Sequence, residues 1–337
     1  MYRAAVIGLG NIGMLYDLEP QRPHPSTHVF AYEMSPSFDL VCGIDGDEDK
    51  REMFREKITS AKFFTSIDSA IESGILEEID VVSICTPPNT HLEILLKLIR
   101  LHIGRILFCE KPIVSNLEEA KKLYSSMEQN KDVVIIPNIS RRWNDGINNV
   151  AEVIRSKSLG EIEKIHVRYT RGIINTGSHL FDLLKMWSDK RIKRVFVMGE
   201  TKTSACPEPT YNFYFELENG AYGYAEGFDD RNYYLFEVDV YLSMGKIEMR
   251  NSGDDITFYR KTEHHLFKGF KELMPYKKET HLLLDACIKN AIDNIADILA
   301  GNGNAKCTLE DALYPLYISE KLKESFNNKC MEEIEYG

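Results

Sequence analysis

The chain opens with an apolar run that ends in three closely spaced glycines. Residues 4–7 (AAVI) are small or β-branched, which is typical of a strand buried on both faces of a parallel sheet. Gly8, Gly10 and Gly13 then form a Gly-x-Gly-x-x-Gly loop. Such a loop lets the backbone turn sharply and approach a pyrophosphate, and the positive end of the next helix binds the phosphates. The N-terminus therefore predicts a dinucleotide-binding loop made of Gly8, Gly10, Asn11, Ile12 and Gly13.

The composition indicates a two-domain protein without a nucleic-acid or membrane partner. A length of 337 residues exceeds the usual size of one core. The net charge of -11 disfavours binding to anionic polymers or surfaces, and we interpret the basic cluster at 190–194 as a solvated loop and strand start. No apolar stretch approaches the roughly 18 residues that span a bilayer. The seven cysteines show neither Cys-x-x-Cys nor a metal-ligand spacing, and the N-terminus reads as a strand instead of a signal sequence, so we expect a cytoplasmic protein without a metal.

Strands alternate with helical patterns over the first 137 residues. Apolar runs predict strands at 39–45, 63–64, 80–86, 106–109 and 133–137. This alternation predicts an α/β fold in which residues 1–137 form an NAD-binding Rossmann domain with a doubly wound parallel sheet. A polar segment, 16–27, interrupts the first helix because its three prolines cannot continue a regular helix, and the helical pattern resumes at 28–34.

The pattern changes after Asn138. A helix is expected at 147–156 and two more at 280–300 and 309–328, with strands at 162–170, 195–201, 211–218, 221–227 and 234–243. Asn219-Gly220 between alternating aromatic runs predicts a hairpin. Residues 138–337 are therefore expected to form an α+β substrate-binding and oligomerisation domain with an open, mostly antiparallel sheet. Its aromatic face suggests a homodimer or homotetramer formed through the sheet; the alternative is a sheet covered by its own helices.

Asp45 is the predicted ligand of the adenosine ribose. It lies at the end of the second strand, where a carboxylate can accept hydrogen bonds from both ribose hydroxyls. The alternative is that Asp45 starts an Asp-Gly turn. Acidic residues at 47–49, and the lack of an arginine directly after Asp45, would repel a 2'-phosphate, so the sequence favours NAD over NADP.

Two motifs carry candidate catalytic residues. Lys111, in Glu-Lys-Pro at the end of a Rossmann strand, can donate to a substrate oxygen and stabilise its developing negative charge, although a lysine there can also be a surface charge. Asn175 and His179 lie four residues apart at a predicted helix start, where they would project to the same side. His179 is then a candidate base, the alternative being a cap or a core histidine.

Polar residues at the crossing into the second domain are candidate substrate ligands. Arg141 and Arg142 offer planar forks suited to anionic or hydroxylated groups, and Asn138 precedes them; the alternative is that the arginines are linker charges. The polar insert at 16–27, with Asp17, Arg22 and His24, leaves the glycine loop beside the cofactor and is expected to form part of the substrate wall.

The order of these motifs resembles one family. GLGNIG, CTPPNTH, EKP, NISRRW and NTGSHLFD, followed by an open-sheet domain, resemble the glucose-fructose oxidoreductase, inositol dehydrogenase and rhizopine-catabolism (Gfo/Idh/MocA) family over nearly the whole chain. In that family the lysine of EKP and the histidine of the later motif flank the sugar or polyol carbon opposite the nicotinamide, which implies these roles for Lys111 and His179. The resemblance also implies that the cofactor-contacting loops contain Thr86, Pro87, Asn89, His91 and Glu110.

One residue departs from the family pattern. The family has an aspartate two residues before the glycine of the Gly-x-His motif, and this chain has Asn175 there. An asparagine can hold a hydroxyl but cannot carry a negative charge. His179 thereby loses one influence that favours its protonated form. By resemblance, similar Asn variants belong among enzymes of bacterial surface sugars.

The sequence therefore predicts an NAD-dependent oxidoreductase that moves hydride between nicotinamide and a ring carbon of a sugar or nucleotide-sugar derivative. The alternatives are an enzyme of the same fold with a non-sugar substrate, such as an imine, a dihydrodiol or a tetrapyrrole, and a non-catalytic sensor of NAD or sugar. Lys111 and His179 are both retained, which disfavours the sensor.

Overall fold

The computed structural model describes residues 1–203, 208–284 and 287–336, which fall into two compact units. The first unit comprises Met1–Trp143 and Ala286–Leu313, and the second comprises Asn144–Asp285 and Tyr314–Gly337. The predicted domains, 1–137 and 138–337, differ from these units mainly in the segment that follows Ala286. That segment belongs to the first unit because apolar side chains of its helix, among them Ile288, Ile292 and Ile295, pack into the first unit's core.

A six-stranded parallel sheet forms the centre of the first unit. Its strands are β1 (Tyr2–Ile7), β2 (Phe38–Ile44), β3 (Lys62–Phe64), β4 (Val81–Ile84), β5 (Ile106–Glu110) and β6 (Val134–Asn138). They lie in the order β3-β2-β1-β4-β5-β6, and every pair is parallel. This is the strand order of dinucleotide-binding Rossmann domains, and the order reverses between β1 and β4, where such sheets bind their ligand. The predicted doubly wound sheet is confirmed.

Five helices connect these strands: α1 (His28–Glu33), α2 (Asp49–Lys57), α3 (Ile67–Glu72), α4 (His91–Arg100) and α5 (Leu117–Gln129). The glycine loop does not lead directly into a regular α-helix. A short 3-10 helix (Leu15–Leu18) follows it, and α1 begins only after the insert, with the Thr27 hydroxyl accepting a hydrogen bond from the Phe30 N–H. The sequence predicted both the interruption and the resumption at His28.

The insert at 16–27 folds around one buried carboxylate. Asp17 accepts hydrogen bonds from the backbone N–H of Ser26 (2.9 Å) and the hydroxyl of Thr27 (2.5 Å), and its other close partner is Nδ1 of His24 (2.6 Å). These contacts tie three residues at the end of the insert back to its start. The insert is therefore an ordered structure that leads into α1.

A nine-stranded sheet forms the second unit. Its strands are β7 (Ile162–Tyr169), β8 (Ile192–Thr201), β9 (Thr210–Leu217), β10 (Tyr222–Gly227), β11 (Phe236–Leu242), β12 (Gly245–Arg250), β13 (Asp255–Glu263), β14 (Lys271–Glu279) and β15 (Glu332–Glu333). The order is β14-β13-β12-β11-β7-β10-β9-β8-β15, and the pairs are antiparallel except β7 with β10. The predicted open, mostly antiparallel sheet and the Asn219-Gly220 hairpin between β9 and β10 are confirmed. Strands β12 to β14 were not predicted.

Helices α6 (Asp145–Arg155) and α7 (Gly177–Ser188) contribute to the core of the second unit. The Trp187 indole N–H donates to the Ile147 carbonyl at 3.1 Å and links the two helices. The last helices are α8 (Cys287–Leu299) and α9 (Leu309–Asn328). The helix predicted over 280–300 is observed from Cys287 to Leu299 as α8; residues 282–284 form a short 3-10 helix instead, and residues 285 and 286 lie outside the described part of the chain.

Two general findings concern the described residues only. None of their helices combines the length and the apolar character that crossing a membrane requires. Of the six cysteines among these residues four are buried, and the seventh cysteine of the chain, Cys206, lies outside them.

Candidate active site

The loop after β1 is shaped by its first and third glycines. Gly8 has a φ of +93°, and a Cβ there would lie 2.7 Å from the carbonyl carbon of Cys85 and the nitrogen of Thr86. A Cβ at Gly13 would lie 2.0 Å from the carbonyl oxygen of Gly8. A Cβ at Gly10, in contrast, would meet no atom of the described structure within 4 Å. Gly8 and Gly13 therefore permit close backbone packing, and Gly10 borders open space.

A cavity of about 840 Å³ opens beside this loop, at the carboxyl ends of β1, β2 and β4. The predicted cofactor residues that line it are Gly8, Gly10, Asn11, Ile12, Asp45, Thr86 and Pro87. Residues that line it without having been predicted include Tyr16, Lys50, Ser66, Cys85, Thr90 and Ile94. The remaining predicted cofactor residues, Gly13, Asn89, His91 and Glu110, are not among the described residues on its wall.

Asp45 joins the glycine loop to the end of β2. Its Oδ2 accepts hydrogen bonds from the backbone N–H of Leu9 at 2.7 Å and the ammonium of Lys50 at 2.9 Å, and its Oδ1 accepts from the Asp47 N–H at 2.9 Å. Burial raises the pKa of Asp45, but the hydrogen bonds from Asp47, Lys50 and Leu9 outweigh it and lower that pKa below its usual value. Asp45 is therefore a carboxylate at neutral pH, as a ribose ligand must be. Lys50 brings a cation to this wall that the sequence analysis missed.

His91 bridges two loops that the sequence marked as cofactor contacts. Its Nε2 lies 2.7 Å from the carbonyl oxygen of Thr86, and its Nδ1 lies 2.8 Å from the carbonyl oxygen of Pro112. The ring is fully buried. Since both nitrogens face backbone acceptors, His91 fixes the loop after β4 to the loop after β5.

Glu110 is held in a buried polar network. Its Oε1 lies 3.0 Å from Nε2 of His28 and accepts a hydrogen bond from the side-chain amide of Asn138 at 2.6 Å. The other His28 nitrogen, Nδ1, lies 2.9 Å from the hydroxyl of Ser83. The side-chain oxygen of Asn138, Oδ1, accepts a hydrogen bond from the indole N–H of Trp143 at 2.9 Å. The network thus joins α1 to the ends of β4, β5 and β6. His28 and Ser83 were not predicted, because nothing in their local sequence indicates this long-range pairing.

Lys111 directly follows β5, in the loop where Glu110 and Pro112 have the partners just described. The peptide bond between Lys111 and Pro112 is cis. The Lys111 side chain is half-buried. The neighbouring residues on both sides of Lys111 are therefore anchored within the first unit.

The structure gives Arg142 and Asn138 partners inside the first unit. The Arg142 guanidinium forms an ion pair with Asp311 (3.0 Å) and donates to the carbonyl oxygen of Lys306 (3.0 Å). Arg142 is only 8% exposed. These bonds hold the start of α9 and the residues just before it against Arg142, and Asn138 donates to Glu110 in the network described above. Substrate contacts from Asn138, Arg141 and Arg142 stay predictions.

Asn175 and His179 lie in the second unit, at the start of α7. A single π-helical turn (Gly172–Thr176) leads into this helix, so Asn175 precedes α7 and His179 is its third residue. The backbone N–H of Asn175 donates to the carboxylate of Glu208, a residue that the sequence analysis did not single out. His179 is largely buried, with 9% of its surface exposed.

The residues around the cavity fit a dinucleotide. Open space beside Gly10 allows a diphosphate to approach the backbone, and the Asp45 carboxylate stands at the end of β2, where a ribose is bound in such folds. Gly10, Asn11 and Ile12 would hold the diphosphate, and Asp45 would hold the adenosine ribose. The cavity volume is within the range of small-molecule sites.

The comparison with known families agrees with this geometry. Residues 2–137 match the model GFO_IDH_MocA, an oxidoreductase family with an NAD-binding Rossmann fold. Over residues 2–137 the chain is similar to the NAD-binding Rossmann domain of the Gfo/Idh/MocA family. The family resemblance seen in the sequence is confirmed, as is NAD as the cofactor of the Rossmann fold.

Relatives of known name extend the similarity beyond the first unit. The inositol 2-dehydrogenase of Arthrobacter sp. strain FB24 is 24% identical over 309 residues, which cover 86% of this chain and 87% of that protein. The chain spans less than a third of the length of two uncharacterized oxidoreductases that also match it, 28% and 31%.

Solved structures share the fold over the full length. An oxidoreductase from Agrobacterium radiobacter in complex with NAD+, L-tartaric acid and magnesium has a TM-score of 0.75 at 14% identity, with 98% of both chains covered. The super-repressor mutant of Gal80p from Saccharomyces cerevisiae has a TM-score of 0.80 at 16% identity, with 100% of this chain and 99% of that chain covered. At these identities the likeness shows the common fold alone.

Proposed function

We propose that this protein is an NAD-dependent dehydrogenase or reductase that acts on a CH–OH group at a ring carbon of a sugar or nucleotide-sugar derivative. The observation that carries the proposal is a lysine, Lys111, set directly after β5 of an NAD-binding Rossmann unit between two anchored neighbours. The alignment with an inositol 2-dehydrogenase over most of the chain supports a substrate that carries hydroxyl groups.

The reaction divides among three residues. Bound NAD supplies a nicotinamide that accepts hydride in oxidation and returns it in reduction. Lys111 orients the reacting oxygen and stabilises the negative charge that develops on it. His179 takes the hydroxyl proton during oxidation and gives it back during reduction, and Asn175 fixes a neighbouring hydroxyl.

Substrate recognition is the finer part of the proposal. Asn138, Arg141 and Arg142 are the residues we assign to anionic or hydroxylated substrate groups, because a guanidinium offers such groups a planar fork and an amide can bond a hydroxyl. Tyr16, at the start of the insert, lines the cofactor cavity, which supports a role for the insert 16–27 in the substrate wall. The substitution at Asn175 supports a place in bacterial surface-glycan biosynthesis, by resemblance only.

A substrate panel tests the proposal. Polyols, free sugars and nucleotide sugars are incubated with NAD or NADP, and turnover is followed by nicotinamide absorbance. Lys111→Ala should lower kcat by about 100-fold or more, the scale of a lost electrostatic or acid-base partner, with NAD affinity nearly unchanged. The matched control is Lys97→Ala, which removes a lysine paired with Asp68 on the surface of the same unit and should leave kcat as it is.

Two outcomes of the panel would redirect the assignment. Near-normal turnover by the Lys111→Ala variant would refute the role of this lysine. Tight binding of NAD and a sugar without turnover would favour the sensor, and turnover of an imine or a dihydrodiol alone would favour a non-sugar enzyme.

We also propose that the protein acts as a cytoplasmic homodimer or homotetramer formed through the sheet of the second unit. One sheet face carries a group of tyrosines, Tyr214, Tyr222 and Tyr224, whose ring centroids lie 5.6 to 6.3 Å apart, and Tyr224 is 43% exposed. Burial of such a face against a second copy would stabilise an oligomer. Sedimentation of the wild type and of Tyr224→Arg tests this, and a monomeric wild type would refute it.

A further inference from the structure

Four consecutive backbone N–H groups before α7 are all satisfied by one short segment. The groups belong to residues 172–175, and the acceptors belong to residues 208–210. Gly172 donates to the Thr210 hydroxyl at 3.1 Å, Ile173 donates to the Pro209 carbonyl at 3.0 Å, and Ile174 and Asn175 donate to the Glu208 carboxylate. The Glu208 carboxylate therefore accepts the last two of these four hydrogen bonds, after the Thr210 hydroxyl and the Pro209 carbonyl accept the first two.

Both oxygens of Glu208 participate. The Asn175 N–H lies 3.1 Å from Oε1 and 3.0 Å from Oε2, and the Ile174 N–H donates to Oε2 at very short range. Hydrogen bonds to an ionised carboxylate are stronger than those between neutral groups. The contact thus places a negative charge directly on the backbone of Asn175.

Gly172 makes room for this carboxylate. Its φ is +75°, and a Cβ there would lie 2.3 Å from Cγ of Glu208 and 2.6 Å from its Oε2. A larger residue would collide with the Glu208 side chain as well as strain the backbone. The position of the Glu208 carboxylate therefore depends on the absence of a side chain at Gly172.

The position of Glu208 matters because of what Asn175 lacks. The family pattern has an aspartate at this point of the Gly-x-His motif, and the chain has no side-chain carboxylate at position 175. We propose that Glu208 supplies this negative charge from the segment before β9, and that it is a positioning residue for Asn175 and His179. The inference rests on the proposed catalytic role of these two residues.

The charge has two physical effects. A carboxylate at the N-terminal end of a helix is stabilised by the helix dipole and fixes the first turn. His179 follows Asn175 by four residues, across the junction of the π-helical turn with α7, and in this proposal the negative charge held at Asn175 favours the protonated form of the His179 imidazole. Glu208 therefore both holds the Asn175 backbone and offsets the loss of the family's carboxylate.

Charge removal and charge relocation test the proposal. Three variants are compared with the wild type: Glu208→Gln, Asn175→Asp and the double variant. NMR of the whole protein follows the titration of the His179 ring, and kcat and KM are measured with a substrate from the panel. The other charged groups on α7 and on α6, which packs against it, stay the same in every variant; they are Asp145, Glu152, Arg155, Asp182 and Lys185.

Glu208→Gln should lower the titration midpoint of His179 by about 0.5 to 1 pH unit, since a nearby charge in a partly solvated site has this order of effect. It should lower kcat by roughly 3- to 10-fold with little change in KM, because Glu208 bonds to the backbone and not to the substrate. Adding Asn175→Asp should restore both the midpoint and kcat. If Glu208 acted only as a helix cap, a negative charge moved to the side chain at position 175 would not restore the His179 midpoint or kcat.

The control is Glu226→Gln in the same unit. Glu226 lies 3.3 Å from Nε2 of His166, so this variant removes a carboxylate that is paired with another histidine and should leave the titration of His179 unchanged. If Glu208→Gln does not fold, Gly172→Ala displaces the same carboxylate by collision and should also lower the His179 midpoint.

The inference is overturned if Glu208→Gln, or Gly172→Ala in its place, leaves the His179 midpoint at the wild-type value, or if Asn175→Asp fails to restore it. A wild type that turns over no member of the panel would refute the proposed function instead. The NMR titration needs no substrate, so it still decides the claim about Glu208 in that case.

Discussion

One methyl group at Gly13 should destabilise the first unit, while the same group at Gly10 should leave it folded. The new Cβ at position 13 would lie 2.0 Å from the Gly8 carbonyl oxygen, and an ordinary contact begins at 3.4 Å, so the two backbone segments must separate by about 1.4 Å. Overpacking costs about 1–3 kcal/mol, and the separation also strains the hydrogen bond from the Val29 N–H to the Gly13 carbonyl (3.0 Å). We expect a loss of about 3 kcal/mol, which corresponds to a fall in Tm of roughly 6–12 °C.

Thermal unfolding without NAD, combined with calorimetric NAD binding, separates packing from cofactor contact. Gly10→Ala should change stability by less than about 0.5 kcal/mol, because its Cβ meets no described atom within 4 Å. It should nevertheless weaken NAD binding by about tenfold or more, since the methyl group occupies the side of the loop that faces the cavity. The steric reasoning is refuted if Gly13→Ala keeps the wild-type Tm, or if Gly10→Ala loses as much stability as Gly13→Ala.

Three further measurements test other parts of the structure. Asp45→Asn should weaken NAD binding by about tenfold and strengthen NADP binding, because it removes a carboxylate and leaves the Lys50 ammonium beside the ribose position; an unchanged ratio of the two dissociation constants would contradict this. Asp239→Asn should cost about 2–3 kcal/mol in urea unfolding at pH 7, since the half-buried guanidinium groups of Arg168 and Arg250 lose charged hydrogen bonds to a buried carboxylate. Burial raises the pKa of Asp239, but the Arg250 hydrogen bond and charge outweigh it and lower that pKa below 3.8. The stabilisation by the Asp239 carboxylate is therefore present above pH 3.8 and is lost as the pH falls through the lowered pKa. A free-energy cost of Asp239→Asn that persists below this pKa would oppose this account. Burial raises the pKa of the Cys85 thiol, so mass spectrometry should find Cys85 alkylated by iodoacetamide only after unfolding.

The sequence predicted the fold well where its signals were local. The strands of the parallel sheet are buried apolar runs, and the helices between them have polar faces and N-caps, such as Asn116 before α5. Strand β14 escaped prediction because it is largely exposed and rich in charged residues. In β13 the alternation of buried residues ends at Phe258, and the rest of the strand is charged and mostly exposed, so the apolar pattern is short. Pairing along the hairpin completes both strands.

The cofactor cavity was predictable in part for a similar reason. The glycine loop, Asp45, Thr86 and Pro87 each follow a strand, and the carboxyl ends of parallel strands meet at one edge of a sheet. Lys50 was missed because its contact with Asp45 depends on how the chain turns between β2 and α2, and Glu208 was missed because its partners are far away in the sequence. Glu208 lies 33 residues after Asn175 in the sequence, and nothing in the residues around it indicates that it would accept the Asn175 N–H.

The motif residues beside Lys111 have partners within the first unit that the resemblance did not indicate. Cofactor contacts of Glu110 and His91 stay predictions; in the structure Glu110 is bonded to His28 and Asn138, and His91 bridges Thr86 and Pro112. The contacts of Glu110 with His28 and Asn138 hold the residue before Lys111, and the contact of His91 with the Pro112 carbonyl holds the residue after it. A catalytic ammonium gains most when its backbone is fixed before the substrate arrives, because positioning then costs nothing during the reaction. The two buried histidines, His28 and His91, therefore help to fix the backbone on either side of Lys111.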